Sequence, residues 1–224
     1  NLARGWAFEA AKYNGIRYVI NGEPHTDHVA GNCWFDAPVI AAAGVREWIA
    51  SLTREDLVGE LSWMAPQALP LDADFYYKLP EFSVKEELVI HLGKLTLQLM
   101  VMPGHTPFNM AVYVPEEKVL FTSDNVIEGM PIMVHCVPAW LDTLNRLEQF
   151  DVDYVVRGHG TVGNKSSINE MKDNLNYCFD AVKAAIDRGW NLDEACRKLT
   201  FSERFPPLPG DPMAHIRRMG ITRL

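Results

Sequence analysis

The chain has 224 residues, 48% of them hydrophobic and 22% charged, and its 21 Lys and Arg against 29 Asp and Glu give a net charge of −8. That balance supplies ample apolar material for a core, which excludes disordered and collagen-like chains. It also leaves no broad basic face for a phosphate backbone, so nucleic acid is not an expected partner.

In chain order, Leu2, Trp6, Glu9, Ala10 and Tyr13 fall at helical spacing and predict a helix over Leu2–Asn14, ended by Gly15. Ile16–Ile20 is short, apolar and β-branched, a buried strand punctuated by Asn21 and Gly22. Val39–Ala43 follows Pro38, and Val45–Met64 reads as one or two helices with Val45, Trp48, Ile49, Leu52, Leu57 and Leu61 turned inward. Pro66, Pro70 and Pro80 make the next stretch an extended connection. The period then changes to two, predicting antiparallel strands at Leu88–Leu92, Leu95–Met102, Ala111–Val114 and Val119–Phe121.

Trp140–Phe150 is an amphipathic helix, Val152–Val156 another buried strand, and Ser167–Arg188 a long helix with Ser167 and Glu170 as a capping box. Asn191 and Glu194 repeat the box before a short helix. The tail, with Asp211, Arg217 and Arg218, reads as solvated surface. No repeat or linker divides the chain, so residues 1–224 are expected to form a single mixed α/β domain, its C-terminal helical segment beginning at about residue 166.

No apolar run approaches the roughly 18 residues of a membrane span. No signal-peptide pattern opens the chain, and a cytoplasmic protein is expected. The chain starts at Asn1 rather than Met, so an exported origin stays open. Cys33, Cys136, Cys178 and Cys196 are far apart, without a C-x-x-C pair, which argues against a zinc ribbon or a disulfide framework and for reduced structural thiols. Cys33 is read as a small buried hydrophobe, with a pocket-lining role as the alternative.

The chemistry concentrates where predicted strands end. The first strand runs into Glu23-Pro24-His25-Thr26-Asp27-His28, with Asn32 close behind. The strand from Leu95 runs into Pro103-Gly104-His105-Thr106, that from Val119 into Thr122-Ser123-Asp124-Asn125, and that from Asp153 into Arg157-Gly158-His159-Gly160. Each junction offers a carboxylate or an imidazole where a rigid sheet can hold it. Singly, His105 or His159 could be a hydrogen-bonded turn residue and Asp124 a helix cap. Together, in this order, they point to a divalent metal site.

These four loops resemble those of the metallo-β-lactamase superfamily. The His-x-His-x-Asp-His signature of that family is similar to Glu23–His28, with Glu in place of the first His. Its Gly-His-Thr, Thr-Gly-Asp and Gly-His-Gly loops are similar to Gly104–Thr106, Thr122–Asp124 and Gly158–Gly160. The resemblance, which runs to about Gly189, implies an αββα sandwich lacking its first N-terminal strands, with two metals at one edge of the sheets. One metal would be held by Glu23, His25 and His105, the other by Asp27, His28 and His159, with Asp124 bridging. Two zinc ions are implied, with iron or manganese as alternatives. A metal-activated hydroxide would be the nucleophile, oriented by Asp27 as the catalytic carboxylate. Glu23 is open to three readings: a true ligand, a partner lying behind a single metal, or the mark of a weakened site.

Other residues carry less. Asn109 reads as a loop hydrogen-bonder and His91 as a strand residue at the surface or in packing. His135 is either a substrate contact in a loop over the pocket or an ordinary loop histidine. Trp34, Phe35, Trp63 and Met64 are core packing or an apolar wall to the site. The function implied is a metal-dependent hydrolase acting on a small ester, thioester, lactone or amide. An iron-dependent oxygenase or oxidoreductase and a degenerate metal-binding protein are the alternatives. The partner expected is a small molecule. Because a first sheet without its leading strands would expose an edge, a second copy of the chain or a preceding segment is expected to cover it.

Overall fold

The computed structural model describes Glu9 and residues 15–129, 131, 135–201 and 203–205. The helix predicted over Leu2–Asn14, Glu9 excepted, and the tail with Asp211, Arg217 and Arg218 lie outside the described residues. Two compact units are present, Asn1–Leu88 and Val89–Leu224.

The first unit is built on a three-stranded parallel sheet in the order β1 (Val19–Ile20), β2 (Val39–Ala42), β3 (Phe82–Val84). All four residues of β2 are buried, as expected of a parallel strand covered on both faces. Between β1 and β2 the chain makes a one-turn helix α1 (Thr26–Val29) and a 3-10 turn, Ala30–Trp34. The helical run after β2 is two helices, α2 (Val45–Ala50) and α3 (Arg54–Met64). They part where Thr53 and Asp56 form a capping box that starts α3 afresh. Val45, Ile49 and Leu57 are buried as the spacing predicts. Trp48 instead is exposed and sets its ring edge-on to His25 at 6.4 Å between centroids.

The second unit carries a five-stranded sheet in the order β4 (Glu87–Leu92), β5 (Leu95–Val101), β6 (Met110–Val114), β7 (Val119–Ser123), β8 (Tyr154–Arg157). β5, β6 and β7 pair antiparallel, as their two-residue period predicts. β7 and β8 pair parallel, which requires a crossover that α4 (Val137–Leu147) supplies. α4 starts three residues before the predicted Trp140 because Pro138, which lacks an N–H to lose, fits a helix's first turn. The long helix α5 (Ser166–Asp187) and the short α6 (Leu192–Lys198) complete the unit. One core joins Met100, Met102, Leu120 and Val155 of the sheet region to Trp140, Leu144 and Leu147 of α4 and Ile168, Met171 and Leu175 of α5. A second, around Cys178, Val182 and Ala195, packs α6 on α5.

The Asn191–Glu194 capping box forms as predicted. The box predicted at Ser167 does not. α5 begins one residue earlier, the Asn164 side chain accepts from the Ser166 N–H, and the Ser167 hydroxyl and Glu170 carboxylate both turn to the Arg157 guanidinium at 2.7 and 3.2 Å. A charged donor with several N–H groups outcompetes a neutral backbone amide for these oxygens. Among the described residues no helix is long and apolar enough to cross a membrane.

The four cysteines are free thiols, and burial pushes the Cys178 thiol up to about 12. Leu144→Ala, which empties a fully buried position, is expected to cost about 2–5 kcal/mol in urea unfolding. Cys178 should resist alkylation at pH 8 in the native protein and react once it is unfolded, as peptide mass mapping would read.

Candidate metal centre

In the first unit the signature loop leaves β1 and enters α1 through His25, whose carbonyl accepts from the N–H groups of His28 and Val29. That single turn brings the donors onto one carboxylate. Glu23 is wholly buried, with Oε2 2.8 Å from His25 Nδ1 and Oε1 3.2 Å from His28 Nε2. Asp27, the exposed member, places Oδ2 3.5 Å from the same His28 nitrogen. The loop is braced by a reciprocal amide pair: Asn32 Nδ2 donates to Asn21 Oδ1 at 2.8 Å, and Asn21 Nδ2 donates to Asn32 Oδ1 at 3.1 Å. Asn32 is therefore engaged with Asn21, not with the acidic and imidazole donors.

In the second unit three loops converge on Asp124, which is nearly buried. Its Oδ2 lies 3.7 Å from His105 Nε2 and 3.5 Å from His159 Nε2. His105 is buried and sits edge-on to Trp140, with ring centroids 5.4 Å apart, whereas the His159 side chain is half exposed. The separations from Asp124 are long for hydrogen bonds. The 3.5 Å separation falls within the roughly 3.3–3.6 Å between atoms that share one tetrahedral ion at about 2.0–2.2 Å, and the 3.7 Å separation lies just above it.

Asn125 organises the His105 loop. Its Oδ1 accepts from the His105 N–H at 3.0 Å, its Nδ2 donates to the Met102 carbonyl, and its own carbonyl accepts from the Trp140 indole. Asn109 is the loop hydrogen-bonder expected, its Oδ1 accepting from the Thr106 N–H and hydroxyl. Asp124 follows a bulge between Phe121 and Ser123 where β7 meets β8. Gly158 passes so close that a β-carbon there would lie 1.8 Å from Asp124 Oδ1.

A family model described as the metallo-β-lactamase superfamily matches residues 8–159. The chain belongs to the metallo-β-lactamase superfamily. The stereoselective inverting sec-alkylsulfatase Pisa1 from Pseudomonas sp. superposes with a TM-score of 0.72 at 15% identity, over 98% of this chain and 43% of that one. A metallo-β-lactamase from Pontibacter korlensis superposes with a TM-score of 0.59 at 18% identity, over 77% of this chain and 75% of its own. The linear primary-alkylsulfatase of a Pseudomonas strain is 23% identical over 142 residues, 57% of this chain and 26% of that protein. The chain thus spans less than half the length of either alkylsulfatase.

The superfamily pattern has Gly where Ser123 stands, and Ser123 holds the left-handed backbone, φ 49°, that such a glycine would take freely. His135 is exposed. His91 is exposed on β4, and Trp34 and Phe35 are half-buried in the first unit. The side chains of Trp63 and Met64 lie outside the described residues. Cys33 is half-buried, its thiol donating to the Ala30 carbonyl and pushed up by desolvation. Asn21, Asn125 and Trp140 are the supporting residues that sequence reasoning missed. The signal available was an amide directly after Asp124 and one directly after β1.

Gly158→Ala should displace Asp124 and lower both thermal stability and metal retention, read by calorimetry and bound-metal analysis. Ser123→Gly should raise stability by up to about 1 kcal/mol in chemical denaturation, since it relieves the left-handed conformation.

Proposed function

We propose that this protein is a metal-dependent hydrolase that cleaves a small ester-type substrate at a binuclear centre. One metal would be held by Glu23, His25 and His105, the other by Asp27, His28 and His159, with Asp124 serving both. The observation that carries this reading is the buried carboxylate of Glu23 with imidazole nitrogens of His25 and His28 at 2.8 and 3.2 Å. A carboxylate excluded from water needs compensating positive charge, and a divalent cation bound by carboxylate and neutral imidazoles provides it. Asp124, flanked by two imidazoles in the other unit, repeats the pattern. The donor set suits zinc, and its three carboxylates also admit iron or manganese.

The bound metals would supply Lewis acidity and a water acidified to near neutral pH. The chain contributes the rest. Asp27 is the exposed carboxylate of its loop and is assigned to orient that water and accept its proton. Glu23 adds negative charge where other members carry an imidazole, which favours harder ions and lowers their electrophilicity. His135 is retained as a candidate substrate contact.

Among esters, alkyl sulfates are the first substrates to assay, because two of the similar proteins are alkylsulfatases. Carboxylic esters, thioesters, lactones and amides complete the panel. Protein purified without added metal should carry two zinc ions per chain by elemental analysis. Chelation should abolish turnover, and Asp124→Ala should lower kcat/KM by at least about 100-fold. Full activity of Asp124→Ala would overturn the binuclear reading. Iron with oxygen uptake would instead establish an oxygenase, and no bound metal a degenerate site.

A further inference from the structure

We propose that Glu128 is a positioning residue for His159, clamping its loop so that the imidazole is presented to a metal; this rests on reading His159 as a ligand. Gly158-His159-Gly160 is the exposed corner of the candidate site. The His159 side chain is half open to solvent, whereas His105 is buried. Burial therefore does less to hold it than it does for His105.

Glu128 grips the loop at the histidine itself and again two residues beyond it. Its backbone N–H donates to the His159 carbonyl at 3.0 Å. Its Oε2 accepts from the Thr161 N–H at 2.9 Å and from the Thr161 hydroxyl at 3.0 Å. Between these anchors Gly160 takes φ 107°, and a β-carbon there would stand 2.4 Å from Glu128 Cβ. The loop is thus closed down onto Glu128 as far as a residue without a side chain allows. The two Thr161 bonds, and more weakly the Arg157 charge, hold the Glu128 carboxyl below the usual carboxylate range.

Arg157 extends the clamp into the helical layer. Its guanidinium lies 3.7 Å from Glu128 Oε2, bonds the Ser167 hydroxyl and Glu170 carboxylate of α5, and is itself 9% exposed. Gly163 leaves room for the Ser167 hydroxyl and the guanidinium, since a β-carbon there would meet Ser167 Oγ at 2.1 Å and Arg157 Nη2 at 3.1 Å. Glu128 thereby links the end of β8, the start of α5 and the histidine loop. Such supporting contacts fix ligand orientation, and their loss typically weakens metal affinity by about 10- to 100-fold.

The test is titration of the metal-stripped full chain with cobalt(II), following visible absorption bands and stoichiometry, with unfolding curves run alongside. Glu128→Ala should weaken one of two cobalt sites by about 10- to 100-fold and alter its spectrum, and Thr161→Val should have a smaller effect. Glu128→Gln, which keeps the size and one acceptor oxygen, should restore part of the affinity. Should Glu128→Ala fail to fold, Glu128→Gln and Thr161→Val decide. Affinity and spectrum unchanged in both overturn the clamp. His159→Ala separates the two readings. If it removes one cobalt while the Glu128 variants bind normally, only the clamp falls. If it too binds two cobalt ions unchanged, the ligand reading falls and the clamp with it.

Discussion

Two carboxylates withdrawn from water, Glu23 and Asp124, set the terms for the rest of the structure. An isolated buried carboxylate costs several kcal/mol even after relaxation, so each must sit among groups that offset its charge. Each has two imidazoles around it, at 2.8 to 3.7 Å. Histidine suits this better than lysine or arginine, because a neutral imidazole can give its lone pair to a cation that the carboxylate also binds. A fixed positive side chain would neutralise the acid and close the site to metal. The net charge of −8 includes these acids, and bound divalent ions would offset part of it.

Holding such a cluster is chiefly the work of uncharged residues. The Asn21–Asn32 amide pair ties the signature loop to β1, and Asn125 ties the His105 loop to both the end of β5 and the indole of Trp140. Amides serve here because each can donate and accept at once without adding charge beside the acids. Gly158 does the opposite service by omission, leaving room for the Asp124 carboxylate. Where the chain departs from the family pattern, the cost is local: Ser123 keeps a left-handed backbone that glycine would hold more easily.

Glu23 stands where the family signature has a histidine. The Glu23 carboxylate reaches both neighbouring imidazoles, one with each oxygen. It also changes the charge of the site by one unit. A harder, more anionic site trades electrophilic strength for tighter hold on a hard ion. With Glu23 as a ligand, as proposed, that trade would set this chain apart from members with three histidines in the signature.

The amino-acid sequence by itself determined the superfamily and most of the strands, though not Phe82–Val84, and it pointed to four loops as metal-donor candidates. Those depend on short-range alternation of apolar residues and on side-chain identity, both written locally. It misassigned Ser167 and Glu170 to a helix cap, because a capping box and a receptor for arginine have the same local spelling. The tertiary structure decided that Arg157 takes both, that Trp48 faces out against His25, and that Asn125 and Glu128 support histidines 20 and 31 positions away. Those contacts join residues whose separation along the chain carries no periodic signal, so only the folded path of the backbone could reveal them.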